Sequence, residues 1–440
     1  MERDTNMKKG TRLVAVAATA ALAAASLGMG AAAQAATRTV TIFGGYSASD
    51  AAAFQDELNI AFPASSGIKV KYTTLASFDT DITTKIKAGQ APDIAMWPQP
   101  GGLIAQKSKL VPVDKVLGAS TFAAIKKTLV PGFELLGKAA DGKTYGLPVS
   151  ANLKSIVFYN PAVFKANGWT IPTTQAQLES LQNTIKTSGK AYPWCAGTES
   201  GGATGWSLTD WMEELVLKTA GVDTYNKWWK GQVKWTDPKI VAAGKLLAST
   251  LLTDGNTQGG GAGVTSRFFG LASTQGLFKS AKADGACAML KQGSFITGFF
   301  PDDIQAELKA KNYTHVGVFA YPGTANLLGG GDTAGVFHNN PAVAKVAAFI
   351  MSDKMGTKGY ASKASGFLSP HKTFNPAYFG DPLAKQFTTM FSKAKGFGFD
   401  GSDQAPPQVN KTEWSELTNW FAGKITMDQA FKLIADSYNQ

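Results

Sequence analysis

The chain has 440 residues, of which 44% are hydrophobic and 17% are charged, and its formal net charge is +11 at pH 7. A chain of this length and composition can bury a sizeable core, and its length favours two structural units over one. The lysines and arginines are scattered with no run longer than two, so we expect no nucleic-acid partner.

The N-terminus has the three parts of a secretory signal peptide. Lys8, Lys9 and Arg12 precede an uncharged, alanine-rich stretch that ends in the cleavage motif Ala33-Gln34-Ala35. Alanine is only weakly hydrophobic, so a permanent membrane anchor is the poorer interpretation. We therefore predict that residues 1–35 are a signal peptide and that the protein is exported.

The first part of the mature chain alternates between strands and helices. Apolar residues recur at helical spacing after a short apolar run, and Gly67 then ends the helix before a strand in which lysines alternate with apolar residues. In chain order we predict a strand over 40–43, a helix over 51–61, a strand over 68–72, a helix over 81–88 and a strand over 93–97. This order predicts a parallel sheet with helices on its faces.

The rest of the chain continues this pattern. Asn340-Pro341 is a helix start with a cap and a proline in the first turn, and Thr426 with Gln429 forms a capping box. The further predicted elements are a strand over 155–159, helices near 175–186 and 208–220, a glycine-rich surface loop over 259–263, and helices that follow residues 340 and 426.

Cys195 and Cys287 are the only cysteines. Each lies in a short strand-like run, and an exported chain with two cysteines allows one intramolecular pairing. We therefore predict a disulfide between them, and two buried free thiols remain the alternative.

Enzyme signatures are absent from the sequence. There is no G-x-S-x-G or H-E-x-x-H motif, and His315, His338 and His371 lie far apart, so neither a metal site nor a cofactor is predicted. Acidic residues could still pair for glycoside hydrolysis, and a secreted glycoside hydrolase therefore remains open as an alternative. The acidic residues considered are Glu199, Asp210, Glu213 and Glu214.

Aromatic, amide and glycine-rich segments follow the predicted strands. One runs from Trp97 to Gly102, and another runs from Leu328 to Thr333. Ligands of open parallel sheets bind beyond the carboxyl ends of the strands. A sugar needs aromatic rings for its C–H faces and planar polar groups for its hydroxyls, so these segments favour a sugar site.

The ordered set of these segments resembles family 1 of the extracellular solute-binding proteins of carbohydrate importers, in particular the branch for α-glucosides and maltose-like sugars. The likeness extends over nearly the whole mature chain, and its segments are 91–101, 145–148, 154–160, 197–211, 291–296, 330–332, 366–371 and 399–403.

The resemblance implies an α/β periplasmic-binding-protein-like fold of type II, in which two parallel-rich sheets flanked by helices form two lobes around a hinged cleft. The first lobe would hold residues 36–149 and 314–365, and the second lobe 150–313 and 366–440. The sugar contacts it implies are Tyr46, Ser47, Trp97, Gln99 and Asp332 from the first lobe, Glu199, Trp206, Asp210 and Phe295 from the second, and Asn152 at the crossover. Phe295 would be the stacking platform.

The same resemblance implies a monomeric, non-enzymatic binding protein that delivers its ligand to the membrane permease of an ABC-type importer. Residues 27–30 contain no cysteine, so lipid attachment is not expected and the protein would be free in the periplasm or outside the cell. A glycan-binding adhesin is a further alternative, because it would use the same kinds of residue to bind polymers.

Overall fold

The computed structural model describes residues 37–323, 325–363, 367–380, 382–392 and 395–439. The predicted signal peptide, residues 1–35, lies outside them, as does Gly366 of the segments that carry the family resemblance. The described residues belong to one compact unit. None of the helices in these ranges has both the length and the apolar composition needed to cross a membrane.

The strands are short, and most of their residues are buried. In chain order they are β1 (Arg38–Gly44), β2 (Ile68–Thr74), β3 (Ile94–Trp97), β4 (Gly146–Pro148), β5 (Asn152–Leu153), β6 (Ile156–Tyr159), β7 (Tyr192–Trp194), β8 (Cys287–Lys291), β9 (Gly317–Ala320), β10 (Asn326–Gly330), β11 (Thr333–Val336) and β12 (Gly396–Phe399).

Helices connect and flank these strands. They are α1 (Ala48–Ala61), α2 (Phe78–Lys87), α3 (Pro100–Ala105), α4 (Val113–Leu117), α5 (Ala119–Thr128), α6 (Pro161–Asn167), α7 (Gln175–Ser188), α8 (Trp206–Trp228), α9 (Pro238–Leu247), α10 (Gly260–Ser266), α11 (Leu271–Thr274), α12 (Asp302–Lys309), α13 (Pro341–Ile350), α14 (Tyr360–Lys363), α15 (Pro382–Ser392), α16 (Gly401–Gln404), α17 (Pro407–Phe421) and α18 (Met427–Ser437).

The strands form a five-stranded sheet in the order β2-β1-β3-β11-β4, a four-stranded sheet in the order β7-β8-β6-β9 and a three-stranded sheet in the order β12-β10-β5. The predicted parallel core is present, because β1 pairs in parallel with both β2 and β3. The prediction of two parallel-rich sheets was wrong, since β11 is antiparallel to β3 and β4, and β6 is antiparallel to β8 and β9. The chain leaves the five-stranded sheet at the end of β4 and returns to it at the start of β11, where Thr333 pairs with Pro148. Because both points lie at the same edge of the sheet, the two strands run in opposite directions.

The strand pairing around residue 314 groups β9 and β10 with strands of the predicted second lobe. The predicted boundary there assigns β9 and β10 to the first lobe, but β9 pairs with β6 and β10 pairs with β5 and β12. The chain returns to the five-stranded sheet only at β11. The segment after residue 366 also contacts predicted first-lobe residues, since His371 forms an isolated bridge with Leu129.

Local sequence signals account for many of the helix ends. Asn340 Oδ1 accepts hydrogen bonds from the amides of Ala342 and Val343 at 3.1 Å each, and Thr426 and Gln429 form the predicted capping box. In β2, buried Ile68, Val70 and Tyr72 alternate with exposed lysines, as the pattern predicted. α8 extends past its predicted end, and its two helical segments meet at Gly221, where φ is 82°.

The predicted loop over residues 259–263 is largely helical instead, because α10 begins at Gly260. A methyl group on Gly261 would lie 2.0 Å from the carbonyl oxygen of Phe421, and one on Gly263 would lie 2.1 Å from that of Gln258. These glycines therefore permit close backbone packing, which the composition of the segment does not distinguish from a flexible loop.

Cys195 and Cys287 form the predicted disulfide, with their Cα atoms 5.2 Å apart. Cys195 directly follows β7 and Cys287 begins β8, and these two strands pair in parallel with Tyr192 opposite Cys287. The bond joins residues 92 apart in sequence, and the chain-entropy model assigns it about 4–5 kcal/mol of stabilisation.

Candidate functional site

A cavity of about 540 Å³ opens among the loops that follow the strands. Its walls come from the segments after β1, β2 and β3, the turn between β10 and β11, the loop after β7, the first turn of α8 and the segment 294–299. Parallel strands deliver their loops to one edge of a sheet, where α/β proteins bind ligands. Ligand pockets typically measure about 300–1,000 Å³, so this cavity has the size of a small-molecule site.

Eight of the ten predicted ligand-binding residues line this cavity. They come from strand ends and loops that are far apart in sequence, and they are Tyr46, Ser47, Gln99, Asn152, Glu199, Trp206, Phe295 and Asp332. The two others, Trp97 and Asp210, do not line it.

Trp97 is a core residue. It is the last residue of β3, whose four residues are all buried, and it is only 1% exposed. Its ring packs at 5.9 Å from the rings of both Phe78 and Phe337. The chain turns into the cavity only after this residue, so Gln99 lines the cavity and Trp97 does not.

Asp210 belongs to a buried ion cluster beside the cavity. Its Oδ1 atom is 2.9 Å from Nζ of Lys154, which also pairs with Asp400 and lies 3.9 Å from Oδ2 of Asp403. Burial raises the pKa of Asp210 to about 7, although Lys154 opposes this rise. Burial alone would lower the pKa of Lys154, but these three carboxylates raise it well above its ordinary value. Asp210 therefore holds Lys154 in place and does not face the cavity.

The four carboxylates considered for hydrolysis do not converge on the cavity. Glu213 accepts a hydrogen bond from the amide of Ser402 at 2.9 Å. The single hydroxyl hydrogen of Ser155 is shared between the two carboxylate oxygens of Glu214, at oxygen–oxygen distances of 2.8 and 2.9 Å. Of the four, only Glu199 lines the cavity.

An aromatic cluster forms one part of the cavity wall. The ring of Trp206 lies 5.0 Å from that of Phe269 and 5.8 Å from that of Phe295. Phe268 and Phe299 pack against Phe269 at 4.7 and 5.1 Å. A Cβ atom on Gly293 would lie 2.3 Å from the Phe295 ring, so the glycine provides the space that this ring occupies. The cluster offers flat apolar faces to a ligand.

A second aromatic group lines another part of the wall. Tyr46 stacks on Tyr360 with 6.0 Å between ring centroids, and Tyr360 lies 4.8 Å from Phe367. Buried Glu57 fixes the backbone here, because its carboxylate accepts hydrogen bonds from the amides of Gly356, Lys358 and Tyr360 at 2.9–3.0 Å. The aromatic wall is therefore anchored from behind by a satisfied buried carboxylate.

Four aspartates in the wall have raised pKa values, and burial raises the pKa of one of them, Asp403, well above its ordinary value. Burial raises the pKa of Asp50, Asp79 and Asp332 to about 6 in each case. The hydroxyl of Ser150 donates to Oδ2 of Asp332 at 2.6 Å and partly offsets the effect of burial there. Carboxylates held in this way are hydrogen-bond acceptors for the hydroxyls of a ligand.

Asp210, Glu213 and Asp400 form the group of acidic side chains close enough to share a metal ion in the described part of the chain. The ammonium of Lys154 already pairs with two of the three, Asp210 and Asp400. This lysine supplies the positive charge that buried carboxylates require.

Several lining residues were not identified from the sequence. They are chiefly Asp50, Asp79, Lys154, Phe268, Phe269, Phe299, Tyr360, Phe367 and Asp403. Phe268-Phe269-Gly270 carries a usable signal, an aromatic pair before a glycine outside any predicted element. Tyr360 carries none, because it is 3% exposed and its local pattern is that of a core aromatic residue.

Residues 44–361 match the family model described as bacterial extracellular solute-binding protein. The chain is 30% identical over 394 residues to the osmoprotective compounds-binding protein GgtB of Synechocystis sp., which covers 88% of this chain and 89% of GgtB. It is also 30% identical over 406 residues to the alpha-glucosides-binding periplasmic protein AglE of Rhizobium meliloti, covering 89% of this chain and 85% of AglE.

Solved structures confirm the predicted fold class, the α/β periplasmic-binding-protein-like fold of type II. The bacterial solute receptor AcbH, described as having an exclusive preference for β-D-galactopyranose, matches with a TM-score of 0.72. The match covers 91% of this chain and 97% of AcbH at 19% sequence identity. Identity at this level shows the fold alone.

Proposed function

Because this chain belongs to the bacterial extracellular solute-binding proteins, we propose that it captures a small sugar or oligosaccharide similar to an α-glucoside and delivers it to an ABC-type importer. The similarity to AglE supports the class of ligand. The observation that carries the proposal is the cavity itself, in which aromatic faces and buried carboxylates line the same space.

The chemistry of these residues suits a sugar. The apolar C–H faces of a sugar ring would stack on Trp206 and Phe295, and its hydroxyls would donate to Asp332 and Glu199. Oε1 of Gln99 is buried and has no hydrogen-bond partner in the described part of the chain. A ligand hydroxyl would satisfy this oxygen, as buried polar atoms require.

The proposal includes two lobes that close on the ligand. The five-stranded sheet would belong to the first lobe and the other two sheets to the second, so the chain would cross between the lobes after β4, at the turn between β10 and β11, and again between β11 and β12. The residues that line the cavity come from both proposed lobes, so a ligand would contact both lobes and favour the closed form.

Family membership makes this an extracellular solute-binding protein. We propose further that it is exported by the signal peptide predicted over residues 1–35, acts as a monomer without a lipid anchor, and catalyses no reaction.

A thermal-shift screen over mono- and oligosaccharides tests the proposed function, because a ligand that binds only the folded protein raises the melting temperature. We expect α-glucosides to raise it, and calorimetry should then give one site per chain. Chromatography of the sugar after long incubation should recover it intact. Cleaved sugar would identify a hydrolase, and no shift with any sugar would contradict the proposal.

A further inference from the structure

We propose that this cavity selects its ligands by charge: it accepts neutral and cationic glycosides and rejects anionic ones such as uronates and sugar phosphates. The inference rests on the proposed function and narrows its ligand class. It follows from the number of acidic groups in the wall and from the fact that the lysine in the described part of the wall already forms ion pairs.

Five carboxylates line the cavity, namely Asp50, Asp79, Glu199, Asp332 and Asp403. They come from the first turns of α1 and α2, from the loop after β7, from the turn between β10 and β11, and from α16. The carboxylates are therefore contributed by five different segments of the wall and are not confined to one of them. Among the described lining residues, Lys154 is the one basic side chain.

The charge of Lys154 is already compensated. Its side chain is only 7% exposed, and its Nζ atom pairs with Asp210 and Asp400 and lies 3.9 Å from Asp403. An anionic ligand could reach this ammonium only by displacing a buried carboxylate, which would leave that carboxylate without its counterion. Removing the partner of a buried charge is strongly unfavourable.

Helix N-termini are the other source of positive potential in the wall. α1 and α2 both begin at the cavity, and the partial positive charge of a helix end attracts anions. α8 also begins in the cavity wall, at Trp206, and has no acidic residue in its first turn. α1 and α2 each have an aspartate in the first turn that lines the cavity, Asp50 in α1 and Asp79 in α2. These side chains offset those two helix ends before a ligand arrives.

Neutral and cationic ligands meet a different situation. Ionised carboxylates only accept hydrogen bonds, so sugar hydroxyls and ammonium groups can donate to them, whereas a ligand carboxylate or phosphate cannot. Like charges brought together in a poorly hydrated site repel each other strongly. The wall therefore discriminates by what the ligand can donate as well as by its charge.

The test uses three matched ligands based on the tightest-binding neutral disaccharide of the screen. In one derivative a CH₂OH group is replaced by a carboxylate, and in the other by CH₂NH₃⁺, so the second derivative controls for the altered position. By calorimetry at pH 7 and fixed ionic strength, we expect the uronate to bind at least about tenfold more weakly than the neutral sugar, and the amine to bind at least as tightly as it.

Asp332→Asn should reduce the gap between the neutral sugar and the uronate, because it removes one negative charge from the wall. Asp254→Asn is the matched control, since Asp254 is exposed and does not line the cavity, and it should leave the gap unchanged. A uronate that bound wild type as tightly as the neutral sugar would overturn the charge selectivity and leave the proposed function intact. Failure of every neutral sugar to bind would overturn both.

Discussion

At the scale of single residues, position within a turn decides function. Trp97 and Gln99 are separated by one proline, yet Trp97 packs in the core and Gln99 lines the cavity. An aromatic residue at a strand end is equally suited to either role. Only the direction in which the chain leaves the sheet separates them.

Removing the Phe295 ring is predicted to weaken sugar binding. Phe295→Ala deletes an apolar face next to Trp206, and we expect a loss of about 1–3 kcal/mol in binding free energy, the scale of burying one large apolar side chain. Calorimetry measures the change. Tyr378→Ala is the control, because Tyr378 is an aromatic residue that is 45% exposed and does not line the cavity. Equal affinity in wild type and Phe295→Ala would show that the stacking platform lies elsewhere.

The raised pKa of Asp332 predicts opposite effects of pH on the free and the bound protein. Its pKa is about 6 in the folded protein against an ordinary value of 3.8, so the folded state takes up a proton as the pH falls through 6 before the unfolded chain does. The ligand-free protein therefore gains stability between pH 7 and pH 5 through this group. A sugar hydroxyl that donates to the ionised carboxylate loses this acceptor over the same interval.

Melting temperatures at pH 5, 6 and 7, with and without sugar, test this prediction. The charged groups that act on Asp332 include Lys154, and Asp50 also titrates near pH 6, so the comparison is between wild type and Asp332→Asn. We expect the variant to show a smaller gain in stability on acidification and a smaller loss of the sugar-induced shift. Identical pH profiles of wild type and Asp332→Asn would show that Asp332 is not responsible for these effects of pH.

At the scale of elements, α1 and the segment 294–299 pack against each other beside the cavity. A methyl group on Gly298 would lie 2.8 Å from the Ser47 hydroxyl oxygen and 3.2 Å from Oδ2 of Asp50. Ser47 also caps α1 by accepting a hydrogen bond from the amide of Asp50 at 3.3 Å. The N-terminus of α1 is therefore both a structural cap and a part of the cavity wall.

Gly298→Ala is predicted to weaken sugar binding without a comparable loss of stability. The added methyl group forces the helix end and the segment 294–299 apart, so the closed arrangement becomes less favourable. We expect affinity to fall by about tenfold, equivalent to about 1.4 kcal/mol. Calorimetry gives the affinity, and the melting temperature of the ligand-free variant is the control. An unchanged affinity would show that this contact does not limit closure.

At the scale of the whole molecule, the proposed division into lobes predicts a change of shape on binding. A ligand that contacts both lobes stabilises the closed form by its greater affinity for it. Small-angle scattering should therefore show a smaller radius of gyration at saturating sugar than without sugar. The same comparison with a sugar that gave no thermal shift is the control, and an unchanged radius with the bound sugar would contradict hinge closure.

The local structure and the class of protein could be predicted from the order of the residues along the chain. A short apolar run predicted β1, and the alternation of apolar residues with lysines predicted β2. Side-chain caps predicted the starts of α13 and α18, and the two cysteines predicted the disulfide. These features depend on residues close in the chain or on a pairing without competitors. The order of segments was sufficient to indicate the family.

Which polar and aromatic residues share the cavity could not be predicted in this way, because it depends on how distant segments pack together. Asp210 forms an ion pair with Lys154, 56 residues away. Tyr360 stacks on Tyr46 in the cavity wall, although the two residues are 314 positions apart in the chain. The directions of β9 and β10 were likewise decided by pairing with strands distant in sequence. Ion pairs, ring contacts and strand pairs form between groups that are close in space, and local sequence patterns do not show which distant groups will be close.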